Sequence, residues 1–261
     1  MAKVSYEREG AAAVLTIERP ERRNAIDPET ADELLDGYRS FEADDEARVL
    51  VLTGAGDEAF CAGADLKSMS AAGEDPEIAQ QWLKARPDGP LGFTRLTPSK
   101  PTIAAISGWA LAGGLELALW CDLRVGTETA KLGFPERRWG VPLIDGGTQR
   151  LPRIVGLGRG LDMILSGRTV EADEALAIGL LTEKVAAAKH LDRALEMAEG
   201  LAAFPQETML ADRRAALEGF GLPIADGLAL EAEYGSKVAA TGVAGAARFA
   251  SGEGRHGELP D

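Results

Sequence analysis

The sequence predicts an α/β fold with mostly parallel strands, and three observations carry that prediction. Runs such as residues 48–54 (RVLVLTG) and 102–107 (TIAAIS) have continuous apolar centres and are too short for helices, as strands covered on both faces are. Between such runs apolar residues recur at helical spacing, so strands and helices alternate along the chain. The 261 residues, 45% hydrophobic and 27% charged, suffice for a large core without disulfides or a structural metal.

In order along the chain, residues 12–18 (AAVLTIE) read as a strand that pairs with residues 3–8 through a turn at Gly10. Asp27 is suited to cap a helix that opens with Pro28 and repeats Leu34, Leu35, Tyr38 and Phe41 to about residue 43. The strand at 48–54 follows, then the one at 102–107, a glycine turn, the helix GGLELALWC and a third strand at about 122–126. Beyond Gly156 the pattern is helical, apart from a strand-like TEKVA at 182–186. The polar, glycine-rich end SGEGRHGELPD is expected to be loosely ordered.

Charge and cysteine content narrow the function classes. With 28 basic and 42 acidic residues the chain carries −14, which opposes gripping nucleic acid or anionic lipid; an acidic ligand would need a locally basic patch. Two cysteines, Cys61 and Cys121, build no disulfide framework, and no cysteine–histidine cluster has metal-ligand spacing. The N-terminus lacks an apolar signal core and no apolar run is long enough to span a bilayer, so a cytoplasmic protein is expected.

The chemistry points to carboxylates. Of the two histidines, His190 at a helix start and His256 in the glycine-rich end both read as exposed bystanders, and no G-x-S-x-G elbow supplies a hydrolase nucleophile. Glu116 is set among Ala112, Leu115, Leu117, Leu119 and Trp120. It is either a glutamate that reaches solvent or an arginine, or a carboxyl whose proton affinity desolvation raises, as acid–base catalysts require. Glu136 follows Pro135 in what reads as a first helical turn, where an acid complements the helix dipole, and Asp145 beside Gly146 and Gly147 reads as a cap for the next helix. Two glycine-bearing turns, FCAGADLKSM through Gly63 and Ala64 and GWALAGGLEL through Gly113 and Gly114, can aim backbone N–H groups at an oxygen that becomes anionic. A formal dinucleotide fingerprint at residues 54–59 is discounted, because Asp57 and Glu58 fall where a pyrophosphate needs bare amides.

Taken in order, RPERRNAID, AFCAGADLKSM, PTIAAISGWALAGGLELALWCDLRV, FPERRWG and GGTQRLPRIVG resemble the enoyl-CoA hydratase/isomerase, or crotonase, superfamily over nearly the whole chain. The resemblance implies a crotonase-like spiral of strand–strand–helix repeats over residues 1–200 that binds acyl-CoA. A helical region at 201–261 would form trimers, often paired as hexamers. By position, Ala64 and Gly113 match the amides that hold the thioester oxygen, Glu116 the water-activating glutamate and Glu136 the group that exchanges a proton at the α-carbon. Arg22, Arg23, Asn24 and Lys67 fall where the family lines its nucleotide pocket, together with Ala62, Asp65 and Leu66 of the same turn. The implied reaction is hydration of a 2-enoyl-CoA to a 3-hydroxyacyl-CoA, with no cofactor beyond the coenzyme A of the substrate. Where hydratases of the family commonly have Pro-Gly-small-Gly-Gly, this chain has Pro142-Leu143-Ile144-Asp145-Gly146-Gly147. Some relatives place a working aspartate near Asp145, so an isomerase or another thioester reaction stays open; a non-catalytic acyl-CoA binder is a further alternative, because superfamily members that lost catalytic residues serve in binding roles. The resemblance also implies acyl-pocket helices around 68–96 and 140–165.

Overall fold

A computed structural model describes residues 2–71 and 75–252. The chain forms two compact units that part between Ala198 and Glu199. The first opens with the hairpin β1 (Val4–Glu9) and β2 (Ala12–Ile17), which turns at Gly10 with φ +59°. Helix α1 (Pro28–Ala43) follows, its first turn capped by Asp27, whose carboxylate accepts from the Thr30 N–H at 2.9 Å.

From there the chain repeats one motif. Strand β3 (Val49–Gly54) is followed by the short β4 (Ala59–Cys61) and helix α2 (Leu66–Ala71), with α3 (Pro76–Lys84) after it. Next come β5 (Thr102–Ile106), β6 (Trp109–Leu111) and α4 (Gly113–Trp120), and then β7 (Leu123–Thr127), β8 (Lys131–Gly133), a 3-10 turn at Pro135–Trp139 and α5 (Gly147–Val155). Each long strand joins one sheet and each short strand a second. Helix α6 (Leu157–Ser166), β9 (Thr169–Glu171), α7 (Ala172–Ala177) and β10 (Glu183–Val185) complete the sheets, with orders β1-β2-β3-β5-β7-β10 and β4-β6-β8-β9. All pairings in the two sheets are parallel except β1–β2 and β8–β9. This is the spiral of strand–strand–helix repeats that the resemblance implies. The short strands of the second sheet escape the sequence pattern because three residues carry barely one period of alternation.

Strands β3 and β5 are buried at every position, which explains their unbroken apolar runs. Tyr38, Phe93 and Trp120 stack beside them, with the Phe93 and Trp120 ring centroids 4.4 Å apart, and Trp120 Nε1 donates to the Leu96 carbonyl at 2.8 Å. These contacts anchor a segment that sequence reading assigned to helix. Beyond Lys84 the chain runs to Pro101 as turns, because Pro87, Gly89, Pro90, Gly92 and Pro98 interrupt any helix there.

Helix α8 (His190–Ala203) leads into the second unit, which contains α9 (Gln206–Gly219), α10 (Ile224–Lys237) and α11 (Ala239–Ser251). Helices α9 and α10 are tied by the Tyr234 hydroxyl, which donates to Glu218 at 2.6 Å. His256 lies outside the described residues. Among those described, no helix is long and apolar enough to cross a membrane.

Candidate active site

Helix α4 is buried at all eight positions, and Glu116 is its one ionisable residue. A helix can sit this deep only if it starts close against its neighbours. Gly114 makes that possible, since a Cβ there would overlap the Cys61 carbonyl at the end of β4. Ala112, just before the helix, has φ +53° and ψ −127°. Gly63, at φ +87°, packs against the same turn, and a Cβ on it would come within 2.8 Å of the Gly113 nitrogen.

The two glycine-bearing turns singled out in the sequence therefore meet. The 62–65 turn also pairs with the loop after β2: Ala62 N–H donates to Arg23 O at 3.0 Å, Ile26 N–H to Gly63 O and Asp65 N–H to Ile26 O, both at 2.8 Å. Among the described residues, the N–H groups of Ala64 and Gly113 have no hydrogen-bond acceptor. Gly113 is the first residue of α4, so its amide also lies at the positive end of the helix dipole.

Glu116 is 2% exposed, and its Oε1 accepts from the backbone N–H of Gly147 at 2.7 Å and of Asp145 at 3.0 Å. Burial raises its carboxyl to about 7; the charges of Asp145 and Glu136 push the same way, and the two donated hydrogen bonds oppose. Glu136, on the 3-10 turn, is also buried, and neither of its carboxylate oxygens has a hydrogen-bond partner. Burial likewise carries it to about 7. That excludes the solvent-facing reading of Glu116.

Asp145 departs from its sequence reading. The N-cap of α5 is Gly146, and the Asp145 carboxylate turns instead to the 89–94 segment, accepting from Leu91 N–H at 3.1 Å and from the Thr94 hydroxyl. Leu91 and Thr94 were missed because their stretch carries no motif beyond its prolines and glycines. His190 is also corrected: it is buried, with Nδ1 unpartnered, and burial lowers its pKa.

Of the residues expected at the nucleotide pocket, Arg22, Arg23, Leu66 and Lys67 are exposed, Arg23 paired with Glu58 at 2.8 Å. Asn24 is a correction. Its side chain is fully buried and spent on the backbone, accepting from Arg19 N–H and donating to the carbonyls of Ala55 and Ala59, so it shapes the loop. Asp65 is likewise committed, bonding Arg19 at 3.1 Å and the amides of Lys67 and Ser68. Arg19 also pairs with Asp27 at 3.1 Å, which joins α1 to this turn.

Residues 7–241 match the family model described as Enoyl-CoA hydratase/isomerase. The chain is 36% identical to the short-chain-enoyl-CoA hydratase of Clostridium acetobutylicum over 234 residues, 88% of this chain and 87% of the relative. It is also 36% identical over 234 residues to the crotonyl-CoA hydratase of Syntrophomonas wolfei, with the same shares of the two chains covered. A crystal structure of the Bacillus anthracis enoyl-CoA hydratase superposes with a TM-score of 0.89 at 30% identity, over 100% of this chain and 98% of that one. With the spiral, the paired turns and the two buried glutamates in place, these matches establish that the chain belongs to the enoyl-CoA hydratase/isomerase family.

Proposed function

We propose that the protein is a hydro-lyase that adds water reversibly to a 2-enoyl-CoA, giving the 3-hydroxyacyl-CoA. The observation that carries this reading is the pair of buried carboxyls in unlike surroundings. Two N–H donors favour the ionised form of Glu116, and neither oxygen of Glu136 has a hydrogen-bond partner, so the base is assigned to Glu116 and the proton to Glu136. Glu116 then takes a proton from water as the oxygen attacks the β-carbon, and Glu136 delivers one to the α-carbon. Negative charge that develops on the thioester oxygen is held by the amides of Ala64 and Gly113, a kind of donor worth roughly 3–4 kcal/mol of barrier each. Every step uses side chains and main-chain amides, and coenzyme A enters with the substrate.

The exposed Arg22, Arg23 and Lys67 offer the local positive charge that a phosphate-rich ligand needs on an acidic protein, with the Ala62 and Leu66 backbone beside them. Asn24 and Asp65 hold that edge in shape. Assembly into trimers, singly or as hexamers, accounts for Ile224, Leu228 and Phe249 on the helices beyond Ala198 and for Phe220 in the turn after α9, all exposed. The cytoplasm, with its reduced thiols, suits free Cys61 and Cys121.

Short enoyl-CoA mixed with the protein should lose its conjugated ultraviolet band, and in oxygen-18 water the product should carry label. Turnover without label would replace hydration by isomerisation.

A further inference from the structure

We infer that Asp145 is a positioning residue, a clamp that locks the irregular 89–94 segment and Glu116 into one unit. The clamp is defined by geometry; its effect on rate rests on the reading of Glu116 as the base. All three polar groups of the residue are engaged in different directions. Its carboxylate Oδ1 accepts from Leu91 N–H and the Thr94 hydroxyl, its own N–H donates to Glu116 Oε1 at 3.0 Å, and its carbonyl accepts from Arg150 Nη1 at 2.8 Å. Arg150 Nη2 closes the ring on the Thr94 carbonyl at 2.6 Å.

Glycine at this position would supply the same N–H and carbonyl but leave the Leu91 amide and the Thr94 hydroxyl of the 89–94 segment without their acceptor. That segment matters to the reacting centre, because the Leu91 side chain sits where a Cβ on Gly113 would be. Displacing Asp145 therefore moves two things together, the base and the wall over the Gly113 amide. Phe93 is held by its packing on Tyr38 and Trp120, whereas the Leu91 amide and the Thr94 hydroxyl are held by Asp145. Gly89 and Gly92 adopt φ +128° and +106°, the Thr94 hydroxyl lies against Gly89, and the turn's own bond, Gly92 N–H to Gly89 O at 3.1 Å, leaves the Leu91 amide to Asp145. The carboxylate itself is 3% exposed, and its hydrogen bonds are what make so buried an acid tolerable.

Three variants test the assignment by amide exchange at Leu91 and by steady-state kinetics. Asp145→Ala should lose the protection of the Leu91 amide and lower kcat by about 100-fold, the scale set by a misplacement of roughly 1 Å. Asp145→Asn keeps an acceptor for Leu91 and should recover protection and most of kcat. Its acid limb should move to lower pH, because Asp145 and Glu136 push Glu116 up while Arg150 and the two N–H donors hold it down. Thr94→Val removes one donor to the carboxylate and should loosen Leu91 even if the alanine variant fails to fold. An asparagine variant as slow as the alanine one would make Asp145 a proton-transfer group and overturn the proposal. So would unchanged Leu91 protection in both Asp145→Ala and Thr94→Val. If the wild-type protein hydrates no enoyl-CoA, the functional reading fails, while amide exchange still judges the clamp.

Discussion

Glu116 and Glu136 are two buried carboxyls carried by very different stretches of chain. One projects from a regular helix whose start is packed against β4, and the other from a five-residue 3-10 turn between a short strand and a loop. Burial raises both to about 7, yet only Glu116 is given hydrogen-bond donors. The difference teaches that burial raises both carboxyls while the fold divides them by their partners, two backbone donors at Glu116 and the Arg137 charge at Glu136. Their mutual repulsion sharpens the division, because ionising one opposes ionising the other.

The largest expected effect comes from erasing that contrast. Glu116→Gln and Glu136→Gln should each lower kcat by about 1,000-fold, within the range for loss of a positioned acid or base. The pH profiles should separate them. With Glu116 as base and Glu136 as acid, the wild-type rate should fall below neutrality as Glu116 gains a proton and above it as Glu136 loses one; Glu116→Gln should abolish the acid limb of the residual rate and Glu136→Gln the alkaline limb. Stability should move the opposite way. A carboxyl raised from 4.5 to about 7 on folding leaves stability untouched below 4.5 and weakens the fold progressively as pH rises to about 7. Each glutamine variant should therefore melt higher than wild type at pH 8, by on the order of 3 kcal/mol at most, and show no gain at pH 4. A gain present equally at both pH values would mean that ionisation is not its source.

A smaller effect follows from making Glu116 resemble Glu136. A Cβ on Gly147 would lie 3.0 Å from Glu116 Cγ and Oε1 and 2.9 Å from Phe134 Cζ. Gly147→Ala should push the carboxylate off its amide donors, raise its pKa and shift the acid limb to higher pH. We expect a loss in kcat of roughly tenfold to 100-fold. Rate and profile both unchanged would show that those donors do not set the state of Glu116.

Much of this contrast is legible in the sequence. The buried strands announce themselves as apolar runs, the Asp27 cap and Pro28 mark the start of α1, and a glutamate among leucines flags position 116. What stays hidden is long-range. Nothing local to Asp145 shows that its carboxyl reaches Leu91 and Thr94, more than 50 residues away, in place of the helix beside it. Asn24 misleads similarly, since a polar residue that follows two arginines reads as surface until its backbone partners, Ala55 and Ala59, are brought over it.

The smallest effect concerns the helix start that carries only Glu116. Nothing in the sequence around Ala112 signals strain, but the backbone there adopts φ +53° and ψ −127°, a region L-residues rarely occupy. Such a conformation costs about 1–3 kcal/mol, and glycine would relieve it while giving back about 0.4–1 kcal/mol through the greater freedom of the unfolded chain. Ala112→Gly should therefore stabilise the protein by about 1 kcal/mol, or roughly 2–4 °C in Tm for a domain of this size. Because Glu136 rests on a separate turn, the gain should leave the alkaline limb where it is. A lower Tm would show that the Cβ of Ala112, packed beside Gly63, contributes more than the strain removes.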